Sequence, residues 1–323
     1  MRRRIIFLGL VLAVWVLTSK VSPIQAQSYP DHSIQMVIPG APGDALDIAG
    51  RLLIEKLEKI LKVSIIPVNK PGAAGTLGTD YAIRSKKDGY TLLYSNTSAV
   101  IYNPAFNPES VPYHPLRDLD PLALHVSFPD VISVRTDAPW KNFSEFIEHA
   151  RKNPGQLRLG TLGVGSSNHV RLEIIKSITG VDITMVPFKG AMPALTALLG
   201  GHADAAFVAL ALSDPHFKSG KLKGILLDQK VAGQEIPTLQ DLGYSRGLPL
   251  TFLAIFAAVG IPDDAKKVLV PAIQKAINDP DLISKLQNMW IVTKYRSPAE
   301  LKQIMSEDYE NARKIVMQMG VSK

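Results

Sequence analysis

Residues 33–62 read SIQMVIPGAPGDALDIAGRLLIEKLEKILK, and three local patterns follow one another in this stretch. A short apolar run with β-branched residues, typical of a strand, leads into a glycine- and proline-rich turn at residues 39–44. Apolar side chains then recur at helical spacing, at Ile48, Leu52, Leu53, Leu57, Ile60 and Leu61. The stretch therefore predicts a strand, a tight loop and an amphipathic helix in succession.

The same succession continues along the chain. Residues 63–70 predict a strand, 71–78 a glycine-rich loop, 79–86 a helix and 90–96 another strand. Alternation of strands and helices is typical of α/β folds, in which consecutive strands lie parallel. The first part of the chain is therefore predicted to form an α/β lobe with a parallel sheet.

A second α/β unit starts after residues 127–137. Its predicted helices are residues 142–154, 168–180 and 191–201, and its predicted strands are residues 157–163, 183–188 and 203–210. About three hundred residues are more than one hydrophobic core usually organises. We therefore expect two lobes with a ligand cleft between them.

The first residues of the chain have the composition of a secretory signal peptide. Arg2, Arg3 and Arg4 precede an apolar run at residues 5–17, and Ala26 is a small residue suited to cleavage. The apolar run is shorter than the roughly twenty residues of a membrane-spanning helix. We expect the chain to be exported and residues 1–26 to be removed.

Composition excludes several classes of site. The chain has 36 basic and 29 acidic residues, and four of the basic residues lie in residues 1–26. The compact basic run at residues 84–89 has no interleaved aromatic residues, so a solvated turn is favoured over nucleic-acid binding. The chain has no cysteine, which excludes disulfides, thiolate zinc sites and a cysteine nucleophile.

Three predicted loops between a strand and a helix are rich in glycine: residues 39–44, 71–78 and 160–169. Glycine permits close approach of the backbone to a ligand. The N-terminus of a helix offers unpaired N–H groups and a partial positive charge, which suit a carboxylate or a phosphate. One such loop would be explained by a tight turn alone, but three in equivalent places favour anion binding.

The third loop raises the alternative of an enzyme, with Ser166 or Ser167 as nucleophile and His169 as base. The spacing does not match the G-x-S-x-G elbow or a dinucleotide-binding loop. A histidine near a helix N-terminus is disfavoured as a cation, so His169 is better suited to donate a hydrogen bond. The seven histidines show no metal-binding spacing. A hydrolase remains an alternative, because an orienting carboxylate could come from any part of the chain.

Several stretches together resemble the Bug (Bordetella uptake gene) family, the extracytoplasmic receptors of tripartite tricarboxylate transporters. They include YPDHSIQMVIPGAPGDALDIAGRLL (residues 29–53), VNKPGAAGTLGTDYA (68–82), GVGSSNHVRLE (163–173) and GVDITMVPFKGAMPALTALLGGHAD (180–204). The resemblance implies a two-lobed periplasmic-binding-protein fold of type II, with a hinged cleft, no catalytic activity and no cofactor or metal. It also implies a periplasmic location, a small organic carboxylate as ligand and a membrane permease as partner.

In this family, the first two loops hold a ligand carboxylate through backbone groups and ordered water, and the serine-rich loop faces it from the second lobe. The ligand-binding residues implied in this way are Gly40, Ala41, Pro42, Gly43, Asp44, Gly72, Ala73, Ala74, Gly75, Thr76, Thr97, Ser98, Gly165, Ser166, Ser167, His169, Lys189 and Val208.

The sequence departs from the family pattern at several of these positions. Gly40 replaces an aromatic residue, Asp44 the second glycine of the first loop, and Ala74 a glycine of the second loop. Val208 stands where many relatives have an acid that could meet a ligand ammonium, unless its side chain faces the core. Lys189 either adds positive charge to the cleft or forms a structural salt bridge.

We expect lobe 1 to comprise residues 27–129 and 250–323, and lobe 2 residues 130–249. Val208, Leu46 and Ala209 favour a mono- or dicarboxylate with an apolar or aromatic body over citrate or an amino acid. The receptor is expected to act as a monomer. The alternatives are a secreted serine hydrolase and a protein that presents its ligand to a sensor kinase.

Overall fold

A computed structural model describes residues 29–163, 166–188, 190–245 and 247–318 of the protein. The predicted signal peptide, residues 1–26, lies outside these ranges. Within them, no helix combines the length and the apolar character needed to cross a membrane.

The strands of the described residues are β1 (Ile34–Ile38), β2 (Ile65–Asn69), β3 (Thr91–Asn96), β4 (Leu119–Phe128), β5 (Asp130–Arg135), β6 (Arg158–Thr161), β7 (Thr184–Pro187), β8 (Ala205–Ala209), β9 (Leu222–Leu227), β10 (Thr251–Ala258) and β11 (Val292–Arg296). They form two sheets, in the orders β11-β4-β10-β3-β1-β2 and β7-β6-β8-β5-β9.

The α-helices are α1 (Ala45–Leu61), α2 (Thr76–Arg84), α3 (Asn103–Phe106), α4 (Pro115–Asp118), α5 (Phe143–Lys152), α6 (Ser167–Thr179), α7 (Ala191–Leu199), α8 (Leu210–Lys218), α9 (Asp263–Ile277), α10 (Pro280–Gln287) and α11 (Pro298–Gln318). A 3₁₀ turn at Ala73–Gly75 precedes α2, and a π-helical turn at Ser98–Tyr102 precedes α3.

The predicted first helix is confirmed as α1. It begins after Asp44, whose side chain accepts a hydrogen bond from a first-turn N–H, and it ends at Lys62, which adopts the left-handed conformation. Its apolar stripe places Leu53 and Leu57 in the core without exposed surface. The local sequence pattern therefore accounts for both the ends and the buried face of α1.

Each sheet is covered by helices on both faces. In the first sheet, α1, α9 and α10 pack on one face, and α2 and α11 contribute to the core on the other. In the second sheet, α5 and α6 cover one face and α7 the opposite one. A single hydrophobic cluster includes Leu93 of the first sheet and Ile132 of the second, so the two units share part of their core.

The predicted parallel pairing holds for only part of each sheet. Strand β1 pairs in parallel with β2 and β3, and β6 with β7 and β8. Strands β4, β10 and β11 pair antiparallel, and so does β5 with β8 and β9. Pairing of strands that are distant in sequence left no local signal from which these antiparallel partners could be predicted.

The chain passes between the sheets twice, and the two passages lie side by side. It leaves the first sheet after Phe128 and returns at Thr251, which is the register partner of Phe128. In the second sheet, the N–H of Asp228, just after β9, donates to the carbonyl of Asp130 at 3.1 Å. Both passages therefore lie where the two sheets meet.

Candidate functional site

The carboxyl ends of parallel strands bring the first two glycine-rich loops together. Ile38 at the end of β1 is in register with Asn69 at the end of β2. Strand β3 runs parallel to β1 on its other side. In open α/β sheets, ligands bind beyond this edge. The loops after β1, β2 and β3 thus form one rim of the candidate site, which we call the first rim.

The loop after β1 is closed by the side chain of Asp44, the N-cap of α1. Its carboxylate oxygens accept hydrogen bonds from the backbone N–H groups of Asp47, at 2.8 Å, and Ala41, at 2.9 Å. The N-terminal dipole of α1 favours a negative charge at this place. Gly40 is buried, whereas residues 41–44 are exposed.

Asp47 holds the remaining part of this loop. Its carboxylate accepts from the N–H of Gly43 at 2.8 Å and from the side chains of Asn69 and Arg51, each at 2.9 Å. Burial opposes ionisation of Asp47, but these hydrogen bonds keep its pKa below the usual value. Asn69 also donates to the carbonyl of Gly40 at 3.1 Å, which joins the loop to the end of β2.

The second loop follows a left-handed path. The angle φ is positive at Gly72 (127°), Ala73 (46°), Ala74 (52°) and Gly75 (94°). A residue with a β-carbon loses about 1–2 kcal/mol in this conformation. The carbonyl of Ala73 accepts from the hydroxyl of Thr76 at 2.8 Å and from the amide of Asn103 at 3.1 Å. These contacts hold Ala73 and Ala74 in a conformation that suits glycine better.

Thr97 and Ser98 follow β3. Thr97 is buried, and its hydroxyl accepts from the N–H of Phe252 at 2.8 Å and donates to the carbonyl of the same residue at 3.2 Å. Ser98 is half-buried at the start of the π-helical turn. Thr97 therefore joins the end of β3 to β10, while Ser98 retains some exposed surface.

The serine-rich loop forms the opposite side of the candidate site, which we call the second rim. The predicted residue Gly165 lies outside the described residues. Ser166 is the N-cap of α6: its Oγ accepts from the backbone N–H of His169 at 3.2 Å and donates to the carbonyl of Gly163 at 2.7 Å. The Oγ of Ser167 accepts from the hydroxyl of Thr251 at 3.2 Å, so the start of α6 contacts the first sheet.

His169 lies between the two units. Its ring centroid is 6.0 Å from that of Phe106 at the end of α3, and the residue is almost fully buried. Burial lowers the pKa of His169, so the imidazole is neutral at neutral pH. Among the described residues, no cluster of acidic and histidine side chains is arranged to hold a metal ion.

A fully buried guanidinium, that of Arg171, lies beneath the second rim. Its Nε donates to the carbonyl of Pro249 at 2.7 Å, and its Nη2 donates to the hydroxyl of Thr251 at 3.0 Å. It also forms ion pairs with Asp130 and, at 2.8 Å, with Asp228. These four partners belong to the two passages between the sheets, so Arg171 fixes α6 to both of them.

The Arg171 cluster contains two carboxylates and one cation in a buried site. Burial raises the pKa of Asp228 to about 7; the guanidinium of Arg171 opposes this shift, and the neighbouring charge of Asp130 adds to it. The backbone N–H of Asp130 also donates to Asp228 Oδ1 at 3.0 Å. Ionisation of Asp228 therefore costs free energy in the folded protein.

The remaining predicted residues are placed as follows. Val208 has no exposed surface and packs in the cluster formed by β8 and α7, so its side chain faces the core. Leu46 is also a core residue, in contact with the cluster beneath α1. The side chains of Val208 and Leu46 therefore do not form the apolar cleft wall that the sequence predicts. Lys189 lies outside the described residues.

The residues that join the two rims were not predicted from the sequence; they are Arg171, Asp130, Asp228 and Thr251. A signal for Arg171 was present: it shares a helix face with Ile174 and Ile175, three and four positions on, which are buried. A charged residue on an apolar helix face needs a buried partner. The sequence gives no indication of which acids supply it, because Asp130 and Asp228 are far from Arg171 along the chain.

Comparisons with known proteins agree with this geometry. A family model described as tripartite tricarboxylate transporter family receptor matches residues 49–321. The protein BugT from Bordetella pertussis is 26% identical over 314 residues, covering 96% of each chain. A TctC solute-binding protein from Polaromonas, solved without ligand, is 29% identical with a TM-score of 0.81, covering 90% of this chain and 99% of that one.

A third relative was solved with a ligand. MatC from Rhodopseudomonas palustris, with bound malate, is 26% identical with a TM-score of 0.67, covering 89% of this chain and 100% of that one. The family resemblance and the periplasmic-binding-protein fold predicted from the sequence are thereby confirmed.

We expect the substitution Ala74→Gly to raise the free energy of unfolding by up to about 1 kcal/mol. Glycine relieves the left-handed strain, and its greater freedom in the unfolded chain offsets part of that gain. Urea denaturation measures the difference. Ala299→Gly, at an exposed helical position of α11, is the matched control and should lose up to about 1 kcal/mol. A loss of stability in both variants would contradict the assignment of strain to Ala74.

The stability of the protein should depend on pH through the carboxylate of Asp228. An acid whose pKa is raised on folding stabilises the protein below its ordinary pKa, and this contribution is lost as the pH rises through the raised value. The free energy of unfolding should therefore fall as Asp228 ionises between pH 5 and pH 7.5. We expect the wild type to lose on the order of 2 kcal/mol more than Asp228→Asn over this range.

Urea unfolding of both proteins at the two pH values measures this difference. Asn at position 228 retains an oxygen that can accept from the N–H of Asp130. Asp263→Asn, an exposed acid on α9, controls for the change in net charge. Parallel stability profiles for wild type and Asp228→Asn would show that Asp228 does not titrate in this range.

Proposed function

We propose a function from one premise: the chain belongs to the family of tripartite tricarboxylate transporter receptors. It is a solute-binding protein of this family, and we infer that it captures a small organic carboxylate between its two sheets. The observation that carries this proposal is the match to MatC, which was solved with bound malate and which this chain covers completely. A receptor role implies binding without chemical conversion of the ligand.

The two sheets correspond to two lobes in this proposal. Lobe 1 comprises residues 27–129 and 250–323, and lobe 2 comprises residues 130–249. The two neighbouring passages of the chain then act as the hinge. Because Arg171 of α6 contacts both passages, closure of the cleft would move lobe 2 about a point that this side chain holds.

The ligand lies between the two rims. The exposed residues 72–74 and the half-buried Ser98 offer polar groups on the first rim, whereas residues 75 and 76 are buried. Ser167 and His169 supply donors from the second rim, with Ser166 as the helix cap that shapes the loop. We also include Gly165 and Lys189 among the ligand-binding residues. Val208 is not included, because its side chain is in the core.

An apolar or aromatic body of the ligand is supported by exposed side chains beside the loops. Leu77 follows the second loop and is 61% exposed, and Leu162 in the serine-rich loop is 38% exposed. Met192, just after residue 189, is 56% exposed. Contiguous exposed apolar surface is typical of binding sites, and we propose that these side chains form such a surface beside the ligand. We propose a mono- or dicarboxylate with such a body.

The cellular role follows from the family. We propose that residues 1–26 direct the chain to the periplasm, where the mature receptor acts as a monomer. The loaded receptor delivers its ligand to the membrane permease of a tripartite transporter.

Calorimetric titration tests the proposed function. Purified mature protein is titrated with benzoate, malate, citrate and glutamate. We expect binding of benzoate or malate, with little heat from citrate or glutamate, because three carboxylates or an unpaired ammonium are costly to desolvate. A thermal shift in the presence of the ligand provides an independent readout. Tight binding of citrate or glutamate alone would contradict the proposed ligand class.

The second rim is tested by Ser167→Ala. A hydrogen bond to a charged ligand contributes roughly 1.5–3 kcal/mol, so the dissociation constant should rise about tenfold or more. Ser177→Ala, an exposed position on the same helix, is the matched control and should leave affinity unchanged. Equal melting temperatures of the unliganded proteins would confirm that Ser167→Ala acts on binding. Unchanged affinity would show that the ligand does not contact Ser167.

A further inference from the structure

The backbone donors of residues 41–44 in the first loop already have partners within the protein. Asp44 accepts from the N–H groups of Ala41 and Asp47, and Asp47 accepts from the N–H of Gly43. Pro42 has no N–H, and the N–H of Asp44 donates to the carbonyl of Ala41 at 3.2 Å. A ligand carboxylate that approached this loop would have to displace one of the protein's own carboxylates.

Gly40 makes this arrangement possible. A β-carbon added at Gly40 would lie 2.6 Å from Oδ2 and 3.0 Å from Oδ1 of Asp44. Any larger residue at position 40 would therefore push the Asp44 carboxylate out of the loop. The departures from the family pattern at residues 40 and 44 are thus physically coupled: the missing side chain leaves the space that the new carboxylate occupies.

The loop carries excess negative charge at its exposed face. Arg51 is the cation in contact with it, and its guanidinium is bound to Asp47 and, at 2.9 Å, to Asn69. Lys70, at the end of β2, places its ammonium over the ring of Tyr81 at 4.0 Å. Asp44 is exposed, and within the described part of the chain it forms no ion pair. Like charges a few ångströms apart repel, most strongly where water is excluded.

We infer that Asp44 determines ligand specificity by excluding a carboxylate from the loop after β1 on the first rim. This inference rests on the proposed function. The receptor then binds a ligand with one carboxylate, which the second rim receives, and the end of the ligand that faces Asp44 is neutral or donates a hydrogen bond. Within the proposed ligand class, monocarboxylates are preferred over dicarboxylates of the same length.

Two pairs of probes isolate the second carboxylate: butyrate with succinate, and benzoate with terephthalate. Succinate has the four-carbon chain of butyrate with a carboxylate in place of the terminal methyl group, and terephthalate has a second carboxylate in place of the para hydrogen of benzoate. Calorimetric titration of the wild type should show that, in a pair of which at least one member binds, the monocarboxylate binds at least tenfold more tightly than the dicarboxylate. Asp44→Asn keeps an oxygen that caps α1 and removes the charge. We expect this variant to lose most of the preference, through a roughly tenfold gain for the dicarboxylate.

Asp263→Asn, which removes an equal charge from an exposed site on α9, should leave the preference unchanged. Urea unfolding establishes whether Asp44→Asn retains the stability of the wild type. If Asp44→Asn is less stable than the wild type, Asp44→Ser, which also provides a cap, is used in its place.

Equal affinities within a pair for the wild type, or an unchanged preference in a folded Asp44→Asn variant, would overturn the inference while leaving carboxylate binding intact. If neither the wild type nor Asp44→Asn binds any of the four probes or malate, the proposed function is overturned, and this inference with it.

Discussion

The buried guanidinium of Arg171 is the interaction on which the relative arrangement of the two sheets depends. A charge removed from water costs several kcal/mol unless partners replace its hydration, and a buried ion pair broken so that one charge is left uncompensated costs about 3–5 kcal/mol. The partners here come from both passages of the chain between the sheets: Asp130 in the first, and Asp228 and Pro249 around the second. Because α6 carries Arg171 and begins with Ser167, the same cluster positions the second rim.

The two rims of the candidate site differ in how their polar groups are satisfied. On the first rim, the loop after β1 is closed by the side chains of Asp44, Asp47 and Asn69. On the second rim, the cap of α6 uses the neutral hydroxyl of Ser166. A neutral cap leaves the partial positive charge of the helix N-terminus uncompensated, whereas a carboxylate cap neutralises it. Of these two helix N-termini, that of α6 therefore attracts an anion more strongly than that of α1.

Local patterns predicted the elements of this fold well, because they depend on neighbouring residues. The spacing of Leu53 and Leu57 predicted α1, and the cluster of Ser166 and Ser167 predicted the start of α6. The antiparallel partners of β10 could not be predicted, since pairing with β3 and β4 depends on the whole chain. Val208 illustrates the same limit at the site: successive side chains of a strand point to opposite faces, and sequence alone did not establish which face is the core.

Gly40 and Asp44 show that two departures from a family pattern can be understood only when their contacts are considered together. Taken singly, Gly40 suggests a loss of apolar surface and Asp44 a routine helix cap. The structure places the Asp44 carboxylate in the space that any β-carbon at position 40 would enter, so each residue explains the other. The pair places a fixed negative charge at a loop that we propose to face the ligand. In the proposed site, the charge and packing of this loop would then select among carboxylate ligands.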